Sequence, residues 1–278
     1  MPKPYPLTTW RLLESVPARG AWNMSLDEAI LESAGRGESP PTLRLYAWEP
    51  ACLSLGYAQS FTDVDVRRLN SNGWDLVRRP TGGRAILHTD ELTYAVIGPH
   101  DEPRLAGGVL ASYRRLSGAL LQALHRMHIP AEADGQPGSP QDEVSKGPVC
   151  FEVPSNYEIT VQGKKLIGSA QARRKEGVLQ HGSLPLAGDL ARITWALSFS
   201  DETQRQTAAA RLYARAATAE AVLGSPPSWG AAAQALIAAF CQTLSLELLT
   251  SDLTPAEKAR ADELFETKYN HPSWTERV

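Results

Sequence analysis

Cys150 is the residue with the clearest potential for covalent chemistry. It follows a polar segment, residues 131–146 (AEADGQPGSPQDEVSK), that mixes glycine, proline, serine and charge without periodicity. A segment of this kind is typical of a mobile functional loop or of a partly disordered one, and a cysteine just after it is more accessible than one inside an element. Cys52 lies in a short apolar stretch and Cys241 in a helical pattern, and both are expected in the core. Position alone leaves open whether Cys150 is a nucleophile or a buried thiol.

A second candidate is the segment Arg78–His88, RRPTGGRAILH. Its two adjacent glycines let the backbone approach a ligand closely and expose N–H groups. Its three arginines supply fixed positive charge for a phosphate, a carboxylate or an acidic protein surface. The same pattern also fits a hairpin turn flanked by solvated arginines, and the spacing does not decide between the two.

A third candidate is Gly163–Gln171, GKKLIGSAQ. Its two lysines stand at a turn, before an apolar pair and a small-residue run against which a backbone or an acyl chain packs closely. A lysine near a cysteine favours the thiolate and raises its reactivity. A hairpin about this turn sets Lys165 against residues near Thr160, so only the tertiary fold can bring Lys165 to Cys150.

Two histidines complete the candidates. His181 stands next to a Gly-Ser pair, and His88 ends the arginine segment. Each is compatible with a general base and with a structural residue, and the sequence does not choose. The six histidines are too scattered for a metal site, and no Walker loop, dinucleotide fingerprint, serine elbow or His-Glu-x-x-His occurs. The sequence therefore predicts neither a metal nor a cofactor.

Composition excludes several classes of protein. Lys and Arg number 28 and Asp and Glu 31, for a net charge of −3 in 278 residues, 42% of them hydrophobic. This excludes a strongly basic nucleic-acid binder and an acidic disordered chain. Three widely spaced cysteines form no disulfide framework or zinc motif, and no stretch approaches the ~18 apolar residues of a membrane span. With no secretory signal, we expect a cytoplasmic protein that binds neither nucleic acid nor membrane.

The elements that must position these residues mix helix and strand without a regular βαβ rhythm. Helical patterns cover Asn23–Glu32, Asp63–Asn70, Gly107–Met127 and Trp229–Leu244, and Thr254, Pro255 and Glu257 form the capping pattern of a last helix. Strand patterns cover Thr42–Tyr46, Cys52–Gly56, Trp74–Arg78, Leu92–Ile97, Tyr157–Val161, Lys165–Ala170 and Val178–Leu186. The mixture predicts an α+β fold with a mixed, mostly antiparallel sheet flanked by helices.

Several motifs, in order, resemble the lipoate-protein ligase and octanoyltransferase superfamily, to which the biotin ligases also belong. RRPTGGRAILH is similar to its glycine-rich signature loop. Ligase members usually have a third glycine where this chain has Arg84, and an arginine there resembles the LipM-type octanoyltransferases. The other matching segments are NMSLDEA (23–29), PTLRLYAWEPACLSLGYAQ (41–59), CFEVP (150–154), KKLIGSAQ (164–171), LQHGSL (179–184) and, near the end, Lys268, Tyr269 and Trp274. The resemblance runs from about Asn23 to the C-terminus.

The resemblance implies a biotin/lipoate ligase-like catalytic domain. One domain is expected over residues 1–278, with its core at about 23–250 and a C-terminal helical tail. Cys150 is implied to be the acyl-thioester nucleophile, and Lys165 the family lysine beside the acyl carbonyl that lowers the thiol pKa. The substrate-binding residues implied are Arg78, Arg79, Thr81, Gly82, Gly83, Arg84, His88, Gly168, Ser169, Ala170 and His181.

The implied reaction moves an octanoyl group from octanoyl-acyl-carrier protein to a lysine of a lipoyl domain, usually the glycine cleavage H protein first. It is the first step of de novo lipoyl cofactor synthesis. The donor is already a thioester, so the reaction needs no ATP. The loop arginines and the run Arg173–Lys175 are expected to attract acidic partner domains despite the net charge of −3. We expect a monomer.

Three alternatives stay open. An ATP-dependent lipoate-protein ligase would use the same lysine without a cysteine; Arg84, Cys150 and the lack of room for a further C-terminal domain argue against it. An amidotransferase would move octanoyl groups from the H protein to other lipoyl domains through a cysteine, although the GSAQ and QHGS segments favour the carrier-protein-dependent type. A non-catalytic acyl-binding sensor would not need both Cys150 and Lys165.

Overall fold

The computed structural model describes residues 5–133 and 158–278. Its strands are β1 (Thr8–Glu14), β2 (Thr42–Tyr46), β3 (Cys52–Leu55), β4 (Asp75–Arg78), β5 (Ile86–His88), β6 (Glu91–Gly98), β7 (Glu132–Ala133), β8 (Ile159–Val161), β9 (Lys164–Arg174), β10 (Gly177–Pro185) and β11 (Leu246–Thr250). Its α-helices are α1 (Gly20–Gly35), α2 (Val66–Ser71), α3 (Val109–Arg126), α4 (Glu202–Arg215), α5 (Ala219–Leu223), α6 (Trp229–Leu244), α7 (Pro255–Leu264) and α8 (Pro272–Thr275). Within this part of the chain, no helix combines the length and the hydropathy that crossing a membrane requires.

Two sheets organise the fold. The larger has the order β11-β1-β2-β6-β10-β9-β8-β7. Strand β1 pairs in parallel with β11 and β2, and the other five pairings are antiparallel. The smaller sheet has the order β4-β3-β5. The predicted α+β fold with a mixed, mostly antiparallel sheet is therefore confirmed.

Helices cover both faces of the larger sheet. Helices α3 and α6 pack against each other and share one buried cluster with β1, β2 and β6. On α3, Leu116, Leu120 and Leu124 recur every four residues and are buried, because this spacing places them on one side of the helix. Helices α1 and α7 form the cluster on the other face. Burying each leucine contributes about 1.5–3 kcal/mol, so these faces hold the sheet in place.

Local signals predicted several elements closely. The bounds of α6 coincide with the predicted helix. Gln162 and Gly163 have φ angles of 51° and 73°, as a two-residue hairpin turn requires, and Thr160 pairs with Lys165 as expected. Thr254 and Glu257 form the predicted capping box at the start of α7.

Other elements had no clear pattern. Strand β1 is paired on both edges and covered on both faces, so its residues do not alternate between apolar and polar. Helix α4 buries only Ala208 and Leu212, which makes its helical period too weak to detect. Strand β9 continues to Arg174, four residues beyond the predicted Ala170, because β10 pairs with it throughout.

The C-terminal elements are anchored to α1. The ammonium of Lys268 contacts both carboxylate oxygens of Glu28, at 2.7 and 2.6 Å, and the phenol of Tyr269 donates to the same carboxylate. Arg260 forms a second ion pair, with Glu32, at 2.8 Å. These contacts place α8 beside β4.

Candidate active site

The loop between β4 and β5 is shaped by the guanidinium of Arg79. We call residues 78–84 the glycine loop. Arg79 is 3% exposed and donates to the carbonyl oxygens of Gly82 at 2.7 Å, Arg84 at 2.8 Å and Ser54 at 3.0 Å. Gly83 has a φ of +91°, a conformation that favours glycine. The loop is therefore held in one shape from inside, by a cation that satisfies its carbonyl groups.

Arg78 fastens the loop to the C-terminus. It is fully buried and donates to the carbonyl oxygen of Thr275 from Nε and Nη2, at 3.0 and 2.8 Å. Its Nη1 donates to the carbonyl oxygens of Gly56 and Gln59 at 2.9 and 2.5 Å. The expectation that Arg78 offers charge to a ligand is therefore wrong. Its donors are used on backbone carbonyls, because the C-terminal elements dock directly on β4.

Lys165 is the second residue of strand β9. Its ammonium lies 2.7 Å from Oε1 of Glu158, and the two side chains are 6% and 13% exposed. The backbone carbonyl of Lys165 accepts a hydrogen bond from the N–H of Ala217 at 3.0 Å, which fixes the start of the strand from its other side. Lys165 is thus a nearly buried cation held in a defined place.

An open cleft of about 710 Å³ lies between the glycine loop and β9. Among the described residues that line it, four are basic and none is acidic. Its lining comprises Tyr57, Ala58, Gln59, Pro80, Gly82, Gly83, Arg84, Lys165, Ser169, Gln171, Ala172, Arg173 and Arg174. In a chain whose net charge is −3, this single-sign lining favours an anionic group in the cleft.

A smaller, more enclosed pocket of about 40 Å³ adjoins the cleft, and Gly83 and Ser169 line both spaces. We call it the inner pocket. Most of its exposed surface is contributed by carbon atoms. Its lining comprises Met24, Tyr46, Trp48, Ser54, Arg79, Gly83, Ile86, His88, Thr93, Gly168, Ser169, Ala170, His181, Gly182 and Ser183. A Cβ at position 182 would stand 2.6 Å from Oγ of Ser169, so a glycine is needed where the strands face this pocket.

One wall of the inner pocket holds a buried chain of polar groups that we call the Asp27 network. Nδ1 of His181 lies 3.2 Å from a carboxylate oxygen of Asp27, and its Nε2 lies 2.7 Å from the hydroxyl of Thr81. Asp27 also accepts from Arg44 at 2.7 Å and from the phenol of Tyr46 at 3.0 Å. The network therefore ties helix α1 and strand β10 to the glycine loop.

The charges in this network follow from burial. Burial lowers the pKa of His181 below its ordinary value, although Asp27 opposes this shift. Burial alone would raise the pKa of Asp27, but Arg44 and His181 outweigh it and hold that pKa below its ordinary value. A neutral His181 then donates a hydrogen bond from Nδ1 to the Asp27 carboxylate. Its Nε2 accepts a hydrogen bond from the hydroxyl of Thr81.

A second chain, the Glu91 network, lies on another side of the inner pocket. Nδ1 of His88 lies 2.7 Å from Oε1 of Glu91, and its Nε2 lies 2.8 Å from the hydroxyl of Ser54. The hydroxyls of Ser183 and Thr93 donate to the same carboxylate oxygen at 2.8 and 2.5 Å. The imidazole is also stacked on Trp48, with ring centroids 3.9 Å apart. Burial would raise the pKa of Glu91, but His88 and the hydroxyls hold it below its ordinary value.

The structure places the predicted site residues at four locations. Arg84, Gly82 and Lys165 line the cleft; Arg79, His88, Gly168, Ala170 and His181 line the inner pocket; and Gly83 and Ser169 line both. Thr81 is buried and contacts His181, whereas Arg78 lines neither space. Cys150 and the preceding segment 134–146 lie outside the described residues.

The other two cysteines differ from each other. Cys52 is fully buried, and burial raises the pKa of its thiol well above the ordinary value, so the prediction of an inert core residue is confirmed. Cys241 is only half-buried, and the prediction of a core position for it was wrong.

Several residues of the site were not predicted individually. Asp27, Arg44 and Glu91 are buried charged residues, and Tyr57 lines the cleft mouth. A charged residue inside an otherwise apolar element is the signal that finds such positions, because burial of a charge requires a partner. Around Tyr57, the guanidiniums of Arg277 and Arg174 lower the pKa of the phenol. Among the described residues, no group of three or more His, Cys, Asp or Glu side chains is placed to hold a metal ion.

The fold and the pocket define a class of catalytic domain. The chain belongs to the lipoyl protein ligase A/B catalytic domain family, whose model matches residues 19–241. Among curated proteins, the octanoyltransferase LipM of Moorella thermoacetica is 40% identical over 98% of this chain and 99% of its own length. That of Symbiobacterium thermophilum is also 40% identical, over 97% and 99%. The prediction that the chain is an acyltransferase is confirmed.

Solved structures agree with the fold. The bipartite lipoate protein ligase of Thermoplasma acidophilum, described with its E2 lipoyl domain, superposes with a TM-score of 0.78 at 26% identity. The match covers 98% of this chain and 97% of that one. A lipoate-protein ligase A bound with ATP gives a TM-score of 0.77 at 26% identity, over 97% and 99% of the two chains. The predicted biotin/lipoate ligase-like architecture is thus confirmed by its ligase relatives.

Proposed function

We propose that this enzyme transfers an octanoyl group from octanoyl-acyl-carrier protein to a lysine of a lipoyl domain, as a first step of lipoyl cofactor synthesis in the cytoplasm. The observation that carries the proposal is the junction of the two spaces at Gly83 and Ser169. A narrow apolar pocket beside a cationic cleft suits a ligand with an acyl tail and a charged carrier. Support also comes from relatives named octanoyltransferase that match this chain along nearly its whole length.

The proposed chemistry proceeds in two balanced steps through Cys150. The thiolate of Cys150 attacks the donor thioester; the carrier thiol leaves with a proton, and the octanoyl group remains on the enzyme sulfur. The acceptor lysine amine, having lost a proton, then attacks this thioester, so an amide forms and the cysteine thiol is regenerated. Each step exchanges one acyl bond for another, so no ATP is consumed.

Lys165 is proposed to supply positive charge beside the reacting carbonyl. Its side chain is nearly buried and is held 2.7 Å from Glu158, so its position varies little during the reaction. A preorganised cation stabilises the oxyanion of each tetrahedral intermediate more strongly than a solvated one. The backbone N–H groups of the glycine loop are the further donors we propose for this oxyanion.

A lipoyl domain is proposed as the acceptor because of a structural relative. A lipoyl domain accompanies the lipoate protein ligase of Thermoplasma acidophilum, a structural relative at 26% identity. Within that class, we propose the glycine cleavage H protein as the first acceptor. The arginines at the cleft, among them Arg173 and Arg174, would attract an acidic domain of this kind.

The test is the mass of the enzyme after incubation with octanoyl-acyl-carrier protein without ATP. We expect one octanoyl group on the wild-type chain and on Cys241→Ala, and none on Cys150→Ala. Cys241→Ala is the matched control, because Cys241 is a partly exposed thiol outside both spaces. Addition of H protein should then discharge the adduct onto the acceptor. A wild-type enzyme that stays unmodified, and modifies the acceptor only with ATP and free octanoate, would instead identify an ATP-dependent ligase.

A further inference from the structure

Arg84 differs from the other arginines of the glycine loop. The guanidiniums of Arg78 and Arg79 donate hydrogen bonds to backbone carbonyls inside the protein. Arg84 is half-buried on the cleft wall, and its guanidinium makes no hydrogen bond, ion pair or ring contact with the described parts of the chain. The N–H donors of this guanidinium are therefore available to a ligand.

The position of Arg84 is nevertheless fixed. Its carbonyl oxygen accepts from the buried guanidinium of Arg79 at 2.8 Å, and the preceding Gly83 occupies a conformation with a φ of +91°. A rigid backbone limits the conformational entropy that is lost when the side chain binds an anion. A half-buried guanidinium also retains more of its electrostatic attraction than an exposed one, because water screens it less.

The surrounding charge favours a phosphate group. Arg173 and Arg174 line the same cleft, and none of its described lining residues is acidic. A guanidinium binds phosphate oxygens through two parallel hydrogen bonds. A nucleoside triphosphate arrives with Mg²⁺, which is usually held by one or two protein carboxylates, and the described lining of this cleft supplies none. The lining thus suits a phosphodiester better than a triphosphate.

We propose that the cleft is a subsite for the phosphodiester of a phosphopantetheine-type carrier arm, and that Arg84 is the residue that recognises this phosphate. The inference rests on the proposed octanoyl transfer, since the acyl end of the same donor enters the inner pocket. Arg84 thereby selects donors that carry a phosphate on their arm over simple thioesters with the same acyl chain.

The experiment compares kcat/KM for octanoyl transfer to H protein from octanoyl-pantetheine and octanoyl-phosphopantetheine, which differ only in the phosphate. A charge-assisted hydrogen bond of this kind predicts that the wild type prefers the phosphorylated donor by about 10- to 100-fold. In Arg84→Gln, the preference should fall to about threefold or less. Arg67→Gln is the matched control, because it removes one positive charge from an exposed position on α2 outside the cleft; it should keep the preference.

Octanoyl-adenylate offers the same phosphate chemistry from a nucleotide and is the third donor in the comparison. A wild-type preference for it over octanoyl-phosphopantetheine, lost in Arg84→Gln, would assign the subsite to a nucleotide and overturn the proposal. Equal use of octanoyl-pantetheine and octanoyl-phosphopantetheine by the wild type would also overturn it. Both outcomes leave octanoyl transfer intact, whereas a wild type that uses none of these donors and no octanoyl-acyl-carrier protein contradicts the proposed function itself.

Discussion

The Asp27 network and the Glu91 network place the same three groups in the same order. In each, a buried carboxylate contacts Nδ1 of a histidine whose Nε2 faces a hydroxyl. They differ in how the carboxylate charge is balanced. Asp27 has the guanidinium of Arg44 at 2.7 Å, whereas His88 is the only basic side chain that contacts Glu91 within the described part of the chain.

The difference assigns the two histidines different tasks. Because Arg44 already balances Asp27, His181 can stay neutral, and its ring serves to hold Thr81 of the glycine loop. His88 instead contacts Glu91 without a guanidinium beside it and reaches the loop only indirectly, through Ser54 and Arg79. Similar geometry therefore reaches the glycine loop directly in one network and only through Ser54 and Arg79 in the other.

The largest effect is expected from Arg44→Met, which makes the Asp27 network resemble the Glu91 network. Both Arg44 and Asp27 have side chains that are 0% exposed. Leaving the carboxylate without its cation should lower the free energy of unfolding by about 3–5 kcal/mol, measured in urea at pH 7.5.

His181 should then take up a proton and replace the missing cation. The variant should therefore recover stability relative to the wild type as the pH falls from 8 to 6. The control is Arg44→Met combined with Asp27→Asn, which removes both charges and should lose less stability than Arg44→Met alone. A loss below about 1 kcal/mol in Arg44→Met would show that Arg44 does not balance Asp27.

A smaller effect is expected from replacing each histidine with leucine, which has a similar volume. His88→Leu leaves Glu91 with hydroxyl partners only, and should cost about 3 kcal/mol of unfolding free energy. His181→Leu leaves Asp27 with Arg44 and Tyr46, and should cost about 1–2 kcal/mol, mainly from the unpaired hydroxyl of Thr81. Equal losses in the two variants, measured in the same urea titrations, would remove the distinction between the networks.

Thr81→Val tests whether the Asp27 network positions the glycine loop. Valine keeps the shape of threonine but removes the hydroxyl that contacts His181 at 2.7 Å. The variant should lose about 1 kcal/mol of stability, and octanoyl transfer should fall by about tenfold because the adjacent glycines shift. Thr42→Val is the matched control: Thr42 is a buried threonine with partners Arg11 and Pro40, remote from both spaces, so stability should fall while transfer does not. Equal transfer in both variants would leave the loop independent of His181.

How far the sequence predicts this site depends on the range of the interactions involved. The hairpin at Gln162 and Gly163 depends on local conformation, and it was predicted together with the pairing of Thr160 and Lys165. The role of Arg78 depends on Thr275, which is 197 residues away. The composition of the loop cannot show that this guanidinium donates its hydrogen bonds to a C-terminal carbonyl. The expectation of a ligand-facing charge at Arg78 was therefore wrong.

The same reasoning applies to the two networks. His88 and His181 were recognised as candidates, but their carboxylate partners were not assigned. Asp27 is 154 residues from His181 and meets it only because α1 packs across β10. Glu91 is three residues from His88, and the pairing was available in principle from the short turn between β5 and β6. Local sequence thus contains the pairing of His88 with Glu91 but not the pairing of His181 with Asp27.

The smallest expected effect is a pH dependence of stability. It distinguishes the Asp27 network from the Glu91 network without changing either carboxylate. Burial keeps the pKa of His181 below its ordinary value of about 6.5, so the unfolded chain takes up a proton there before the folded chain does. The contribution of His181 to stability is therefore fully present above about pH 6.5. It falls as the pH decreases through the folded pKa, by at most about 1.4 kcal/mol per pH unit.

The cost of His181→Leu should accordingly shrink between pH 7.5 and pH 5, because the variant lacks the proton that opposes folding of the wild type. Asp27 and Glu91 interfere little in this window, since their lowered pKa values confine their contribution to more acidic conditions. Urea titrations of both chains at pH 7.5, 6.5 and 5.5 give the measurement. A cost that grows on acidification would mean that His181 is protonated in the folded enzyme.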